Sequence, residues 1–132
     1  MAKIPLTKVL IVDDDEDILK IAKYSFDVHK EIEVKLAGSG REAIDLAQTF
    51  LPDIILLDLL MPKMDGPATL EELRKHPKTT HIPVIFFTAS VQKDQYLHFR
   101  QLGALEVIYK PFNPLTLPQT VQTIWKKYTE RD

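Results

Sequence analysis

The sequence predicts an α/β protein in which a five-stranded parallel sheet carries helices on both of its faces. Five short apolar runs recur along the 132 residues, and segments with helical periodicity separate them. Parallel strands require long crossover connections, which the helices between them supply, and such crossovers are right-handed almost without exception. With 45% hydrophobic residues, the chain can bury such a core as one domain spanning residues 1–132.

The five apolar runs are the predicted strands. Three of them are nearly continuous in β-branched or aromatic residues, as expected for strands that are covered on both faces. The second run alternates, with Val34 and Leu36 on one side, which is typical of an edge strand. In chain order, the runs are Lys8–Val12, Glu33–Ala37, Asp53–Leu57, Pro83–Phe87 and Glu106–Tyr109.

Capping residues and apolar stripes predict the helices. The acids at Asp15–Asp17 suit the first turn of a helix, where they face the positive end of its dipole. Ser39 and Glu42 have the spacing of a capping box, which marks the start of the second helix. Pro67 suits the first turn of the third helix, and His76 before a proline ends it. The predicted stripes are Ile18, Ile21, Ala22 and Phe26 in the first helix, and Ala43, Leu46, Ala47, Phe50 and Leu51 in the second.

The start of the last helix has two candidate positions. Asn113 followed by Pro114 is a good cap, but Pro118 would then remove a hydrogen bond in the second turn. The predicted stripe of this helix is Leu117, Val121, Ile124 and Tyr128.

Three acidic residues follow predicted strands at their carboxyl ends. Asp13 and Asp14 follow the first strand, and Asp58 follows the third. Open parallel sheets bind their ligands outside these strand ends. If the two strands are neighbours, at the usual separation of about 4.8 Å, the three carboxylates converge on one pocket. Because clustered carboxylates repel one another unless a cation joins them, we expect a hard divalent ion with oxygen ligands, Mg²⁺, at this place.

Two further polar side chains follow the last two strands. Thr88 comes after the fourth strand and can donate a hydrogen bond to an anion, and Lys110 comes after the fifth and can supply an ammonium. A carboxylate, a metal ion, a lysine and a hydroxyl are what phosphoryl transfer to an aspartate requires. The carboxylate attacks in line, while the cations hold charge on the equatorial oxygens.

Four motifs make the sequence resemble the receiver domains of two-component response regulators. They stand in the order and at the distances of that family, and the resemblance covers about Thr7 to Tyr128. It implies a flavodoxin-like sheet with strand order 2-1-3-4-5. The motifs are VDDD (Val12–Asp15), DIILLDLLMPKMDG (Asp53–Gly66), FFTAS (Phe86–Ser90) and YKPF (Tyr109–Phe112).

The resemblance implies a phosphorylation site with a metal ion beside it. Asp58 matches the position of the phosphoacceptor. Asp14 would bind Mg²⁺ directly and Asp13 largely through water, and the backbone carbonyl of Leu60 would complete the ligand set. We therefore expect the protein to use Mg²⁺ as its cofactor.

The resemblance also implies how the signal is received and passed on. A sensor histidine kinase or a phosphotransfer protein would donate the phosphoryl group, Thr88 would follow it and Lys110 would pair with it. The peptide bond from Lys110 to Pro111 would be cis. The face made by the fourth helix, fifth strand and fifth helix would bind an unknown downstream protein or a second copy of the chain. Such a domain catalyses only its own phosphorylation and dephosphorylation.

The sequence departs from the family pattern at three positions. Val107, three residues before the lysine, stands where an aromatic residue commonly acts as a rotameric switch; Tyr109 is a different position. Leu60 and Ser90, each two residues after a site residue, border the route of the hydrolytic water in the family. The lifetime of the phosphoryl group and the route of the signal therefore do not follow from the resemblance.

Other functions remain open at this point. Asp13 and Asp14, taken alone, could equally be helix-capping residues. A Mg²⁺-dependent phosphohydrolase can also use a nucleophilic aspartate, but such enzymes commonly carry a general acid where this chain has Leu60. A receiver-like adaptor that binds partners without phosphorylation stays open because of Val107. Flavin binding is disfavoured because no Ser/Thr-rich phosphate loop follows Val12.

The composition excludes several classes of protein. The chain has no cysteine, which rules out disulfides and thiolate metal sites. A net charge of −2 with interspersed charges argues against nucleic-acid binding. Neither a signal peptide nor an apolar run of the roughly 20 residues needed for a membrane span is present in the sequence. We therefore expect a cytoplasmic protein without a membrane partner.

Overall fold

Five parallel strands and five helices alternate along the chain. The computed structural model describes residues 4–89 and 95–130. The elements are β1 (Lys8–Val12), α1 (Glu16–Ser25), β2 (Glu33–Ala37), α2 (Gly40–Phe50), β3 (Ile54–Asp58), α3 (Gly66–Lys75), β4 (Val84–Thr88), α4 (Tyr96–Gln101), β5 (Glu106–Tyr109) and α5 (Leu117–Thr129).

The sheet has the predicted parallel topology. Its strand order is β2-β1-β3-β4-β5, so β2 is an edge strand as expected and β1 lies beside β3. The third and fourth strands each begin and end one residue later than predicted. Asp58 and Thr88 are therefore the last residues of β3 and β4 instead of the first residues after them.

Two apolar layers cover the sheet. Helices α2, α3 and α4 pack on one face, where Phe86 of β4 and Leu73 of α3 are fully buried. Helices α1 and α5 pack on the other face, around Ile11 of β1 and Val121 of α5. In the described residues, we find no helix with the length and apolar character required to cross a membrane.

The buried side of α1 differs from the predicted stripe. Leu19, Ala22 and Phe26 are buried, whereas Ile21 is 45% exposed. Positions 19, 22 and 26 follow the 3.6-residue period, and Ile21 lies on the neighbouring side of the helix. At the start of α1, Asp15 is the N-cap and accepts a hydrogen bond from the amide of Asp17 at 2.9 Å.

The start of α2 is capped as predicted, with one difference. Ser39 Oγ accepts a hydrogen bond from the Glu42 amide at 3.1 Å. The Glu42 carboxylate binds the Gly38 amide at 2.7 Å, one residue before the amide that a capping box would use. The predicted stripe is wrong at Leu51, which lies after the helix with φ 52° and is 48% exposed, while Ile44 is buried in the core.

Helix α5 begins later than the Asn113 cap. Asn113 instead makes the turn before the helix, where its carbonyl oxygen accepts the amides of Thr116 and Leu117 at 3.0 Å each. Pro118 is consequently in the first turn, where a missing amide costs no helical hydrogen bond. Trp125, which the predicted stripe omitted, is buried, and its indole N–H donates to the carbonyl of Ile4 at 2.8 Å.

Candidate functional site

Three carboxylates meet at the carboxyl end of the sheet. The register that pairs Val12 with Leu57 places the residues following β1 beside the end of β3. One ligand oxygen from each of Asp13, Asp14 and Asp58 lies within 4.8 Å of the others. Asp13 and Asp58 are buried, at 1% and 5% exposed, and Asp14 faces solvent. The structure thus brings together the three predicted acids.

Lys110 enters this cluster from the end of β5. Its ammonium nitrogen lies 2.5 Å from Oδ2 of Asp13 and 3.4 Å from Oδ1 of Asp58. It also lies 5.2 Å from the centre of the Phe87 ring. The sequence predicted a lysine in the pocket but not its direct bond to Asp13, which nothing in the local pattern of either residue signals.

Burial and charge perturb the titration of this cluster. Burial, together with the neighbouring charge of Asp13, raises the pKa of Asp58 to about 6, although Lys110 opposes the shift. Burial of Lys110 works to lower its pKa, but the hydrogen bond and charge of Asp13 and the charge of Asp58 outweigh it, so this pKa lies above its usual value. The site therefore holds negative charge that its one ammonium does not fully stabilise.

Thr88 and Lys110 are joined through the backbone. Thr88 is the buried last residue of β4, and its carbonyl oxygen accepts a hydrogen bond from the amide of Lys110 at 2.8 Å. The Lys110–Pro111 peptide is cis, as the resemblance implied. Thr88 and Lys110 are thus fixed at the same end of the sheet as Asp58.

The loop after β3 passes close to the backbone of Asp58. The amide of Leu60 donates to Asp58 Oδ1 at 3.4 Å, and the Leu60 side chain is 69% exposed. Gly66 approaches so closely that a Cβ there would lie 2.7 Å from the carbonyl oxygen of Asp58. Only glycine fits this approach. This role of Gly66 was not predicted, although its position directly after Asp65, the cap of α3, was a usable signal.

The donor set fits a hard divalent cation. Three carboxylates offer oxygen ligands of the kind that Mg²⁺ prefers, and Lys110 compensates only one of their charges when all are ionised. Participation of the Leu60 carbonyl stays a prediction. Of the three departures from the family pattern, Val107 is buried in the core opposite Phe86, and Ser90 lies outside the described residues.

A comparison with protein families agrees with this geometry. The family model described as "Response regulator receiver domain" matches residues 9–122. The chain is 35% identical over 125 residues to a Vibrio cholerae protein named probable cyclic di-GMP phosphodiesterase, covering 94% of this chain and 28% of that protein. It is 32% identical over 120 residues to the alkaline phosphatase synthesis transcriptional regulatory protein PhoP of Bacillus subtilis, covering 91% and 49%. The chain thus spans about half the length, or less, of these relatives.

Solved structures of response regulators are also similar to this chain. Chemotaxis response regulator CheY4 of Vibrio cholerae matches with a TM-score of 0.81 at 31% identity, covering 91% of this chain and 99% of that one. The receiver domain of Francisella response regulator 1452 also matches with a TM-score of 0.81 at 31% identity, covering 92% and 98%. The chain belongs to the response regulator receiver domain family, whose domains generally act as phosphorylation-controlled signalling switches and not as enzymes.

Proposed function

We propose that this chain accepts a phosphoryl group on Asp58 in a Mg²⁺-dependent reaction and thereby changes its binding to partner proteins. The donor is the phosphohistidine of a sensor histidine kinase or phosphotransfer protein. One observation carries the proposal: Asp13, Asp14 and Asp58 converge, and the ammonium of Lys110 lies against Asp13 and Asp58. Cytoplasmic action is part of the proposal, since it requires an intracellular kinase.

Asp58 supplies the nucleophile. An oxygen of its carboxylate attacks phosphorus in line, the phosphorus–nitrogen bond to the donor histidine breaks, and its electrons stay on the imidazole, which takes a proton from solvent. The Leu60 amide, 3.4 Å from Oδ1, helps to orient the carboxylate. The attack requires the ionised carboxylate, and a divalent cation beside Asp58 would favour that form.

Lys110 and Thr88 bind the phosphoryl group once it is attached to Asp58. The phosphoryl group brings close to two negative charges, which attract the ammonium of Lys110 away from Asp13. The Thr88 hydroxyl donates a hydrogen bond to a phosphoryl oxygen. A divalent ion held by Asp13, Asp14 and Asp58, with the Leu60 carbonyl, would supply charge neutralisation at the phosphoryl oxygens.

Movement of Lys110 and Thr88 towards the phosphoryl group changes the surface formed by α4, β5 and α5. Thr88 ends the strand that leads towards α4, and Lys110 directly follows β5. Movement of both residues towards a phosphoryl group therefore acts on elements next to this surface. We propose that a downstream protein, or a second copy of the chain, binds there.

Treatment with a small phosphodonor tests the proposal. The protein is incubated with Mg²⁺ and acetyl phosphate, and its intact mass and the hydroxylamine lability of any adduct are measured. We expect one labile phosphate adduct that is absent without Mg²⁺ and absent in Asp58→Asn. Steady release of phosphate from varied monoesters would instead indicate a phosphohydrolase. The absence of both an adduct and a response to beryllofluoride would indicate an adaptor that works without phosphorylation.

A further inference from the structure

Tyr96, the first residue of α4, is bonded to the edge strand β5. Its hydroxyl donates to Oε1 of Glu106 at 2.6 Å. The same carboxylate oxygen accepts the backbone N–H of Val107 at 3.2 Å. Arg100, one turn further along α4, donates to the Tyr96 oxygen at 3.0 Å, and its guanidinium carbon lies 5.8 Å from the ring centre. A polar network thus connects α4 to the open side of β5.

This network adds to the apolar contacts that attach α4 to the sheet. The helix has six residues, too few to be stable without tertiary contacts. Its buried residue is Phe99, whose ring meets Phe86 edge to face at 5.6 Å. Leu97 is 70% exposed and Tyr96 is partly buried against the core. The Tyr96 hydroxyl therefore adds a directed bond to a small apolar contact.

The network also links the helix that follows the candidate site in the chain to the strand that leads into the site. Tyr96 begins the helix that follows Thr88, and Glu106 begins the strand that leads to Lys110. A hydrogen bond of 2.6 Å is sensitive to displacement of either partner, since it weakens steeply as its geometry is lost. The Glu106 carboxylate therefore makes a side-chain polar link from β5 to α4.

We propose that the hydrogen bond between Tyr96 and Glu106 is a latch that holds α4 against β5 in the unphosphorylated chain and opens when Asp58 is phosphorylated. This inference rests on the proposed function, because the opening is driven by the pull of the phosphoryl group on Thr88 and Lys110. The hydrogen bond to Glu106 also raises the pKa of the Tyr96 phenol, which favours the protonated donor.

Linkage makes the latch measurable without a known partner. If binding at Asp58 opens the latch, binding must overcome the free energy that keeps the latch closed. Removing the latch must therefore strengthen binding at Asp58. Beryllofluoride with Mg²⁺ serves as the probe, since it occupies the place of a phosphoryl group. A typical coupling between sites corresponds to about fivefold or more in affinity. A purely structural role of Tyr96 would change the stability of the chain without tightening this binding.

The experiment compares beryllofluoride affinity and the hydrogen exchange of α4 amides in wild type and Tyr96→Phe. We expect about fivefold tighter binding in the variant. We also expect its α4 amides to exchange faster before the probe is added and to respond less to the probe. Tyr24→Phe is the matched control, because Tyr24 is 75% exposed on α1, and it should behave as wild type. Glu106→Ala should reproduce the effect, and the double variant should add little to either single change.

The outcomes separate the latch from the proposed function. If wild type binds beryllofluoride and Tyr96→Phe binds it equally or more weakly, the latch is overturned and the phosphorylation site stands. If wild type shows no binding at all, the proposed function is overturned, and the coupling is overturned with it.

Discussion

The ammonium of Lys110 lies 2.5 Å from a carboxylate oxygen of Asp13, although 97 positions separate the two residues in the sequence. Both side chains are largely withdrawn from water, at 15% and 1% exposed. A buried ion pair adds little net stability when intact, but removing one partner leaves an uncompensated charge and is costly. Lys110 thus compensates part of the negative charge of the site before any metal ion or phosphoryl group arrives.

Replacing the lysine tests this electrostatic role. Lys110→Met leaves Asp13 and Asp58 buried without their cation, so we expect the free energy of unfolding to fall by about 3 kcal/mol in the absence of Mg²⁺. Urea denaturation at neutral pH measures the change. Added Mg²⁺ should narrow the difference from wild type, because a second cation then compensates the carboxylates.

A surface lysine gives the matched control. Lys75 pairs with Glu72 at 3.1 Å, but its side chain is 62% exposed, so Lys75→Met should leave the unfolding midpoint unchanged. Equal effects of the two substitutions would contradict a special role of the buried pair.

The raised pKa of Asp58 predicts a pH dependence of stability. The folded state holds a proton on Asp58 up to a pH of about 6, whereas the unfolded state releases it near 3.8. Proton binding to Asp58 therefore stabilises the folded state fully below pH 3.8, and this stabilisation is lost as the pH rises through about 6. The loss is at most about 3 kcal/mol at 1.36 kcal/mol per pKa unit. The unfolding free energies of wild type and Asp58→Asn are measured without Mg²⁺ as a function of pH, and their difference isolates the contribution of Asp58. A difference that stays constant between pH 4 and pH 7 would contradict the prediction.

The close approach of Gly66 predicts a local packing defect on substitution. In Gly66→Ala, the new Cβ would lie 2.7 Å from the Asp58 carbonyl oxygen and 2.9 Å from Cα of Leu59. The backbone must shift, which typically costs about 1 to 3 kcal/mol. Gly38→Ala is the control, since its Cβ would meet only the Glu42 carboxylate at 3.6 Å. Chemical denaturation should show a lower free energy of unfolding in Gly66→Ala, and acetyl phosphate should label this variant less. Both measurements should match wild type in Gly38→Ala.

Metal binding should stabilise the folded chain. Mg²⁺ at about 100 times its dissociation constant adds about 2.7 kcal/mol to the free energy of unfolding when it binds the folded state alone. Calorimetry should show the increase in wild type. It should be much smaller in Asp14→Asn, which removes the carboxylate that faces solvent. A response that is the same in both proteins would place the metal elsewhere.

The fold was predictable because periodicity and strand-end chemistry carry most of its information. Continuous apolar runs identified β1 and β3, and their placement as neighbours brought Asp13 and Asp58 together. The errors concern which side of a helix is buried and where an element ends, as at Ile21 and Leu51. Both depend on tertiary packing, which overrides a local apolar pattern.

Side-chain contacts between different elements could not be predicted from the sequence. The bond from Lys110 to Asp13 and the network of Tyr96 with Glu106 depend on side-chain conformations across different elements. No local spacing signals either of them. The resemblance did supply the cis bond before Pro111, because that feature belongs to a motif and not to a long-range contact.

Locating the phosphoryl group on the chain tests the central claim most directly. After treatment with acetyl phosphate and Mg²⁺, sodium borohydride reduces an aspartyl phosphate to homoserine, and peptide mass spectrometry identifies the converted residue. We predict homoserine at position 58 alone, with conversion lost when Mg²⁺ is withheld. Conversion at another acid, or no conversion in a folded protein that binds Mg²⁺, would contradict the account.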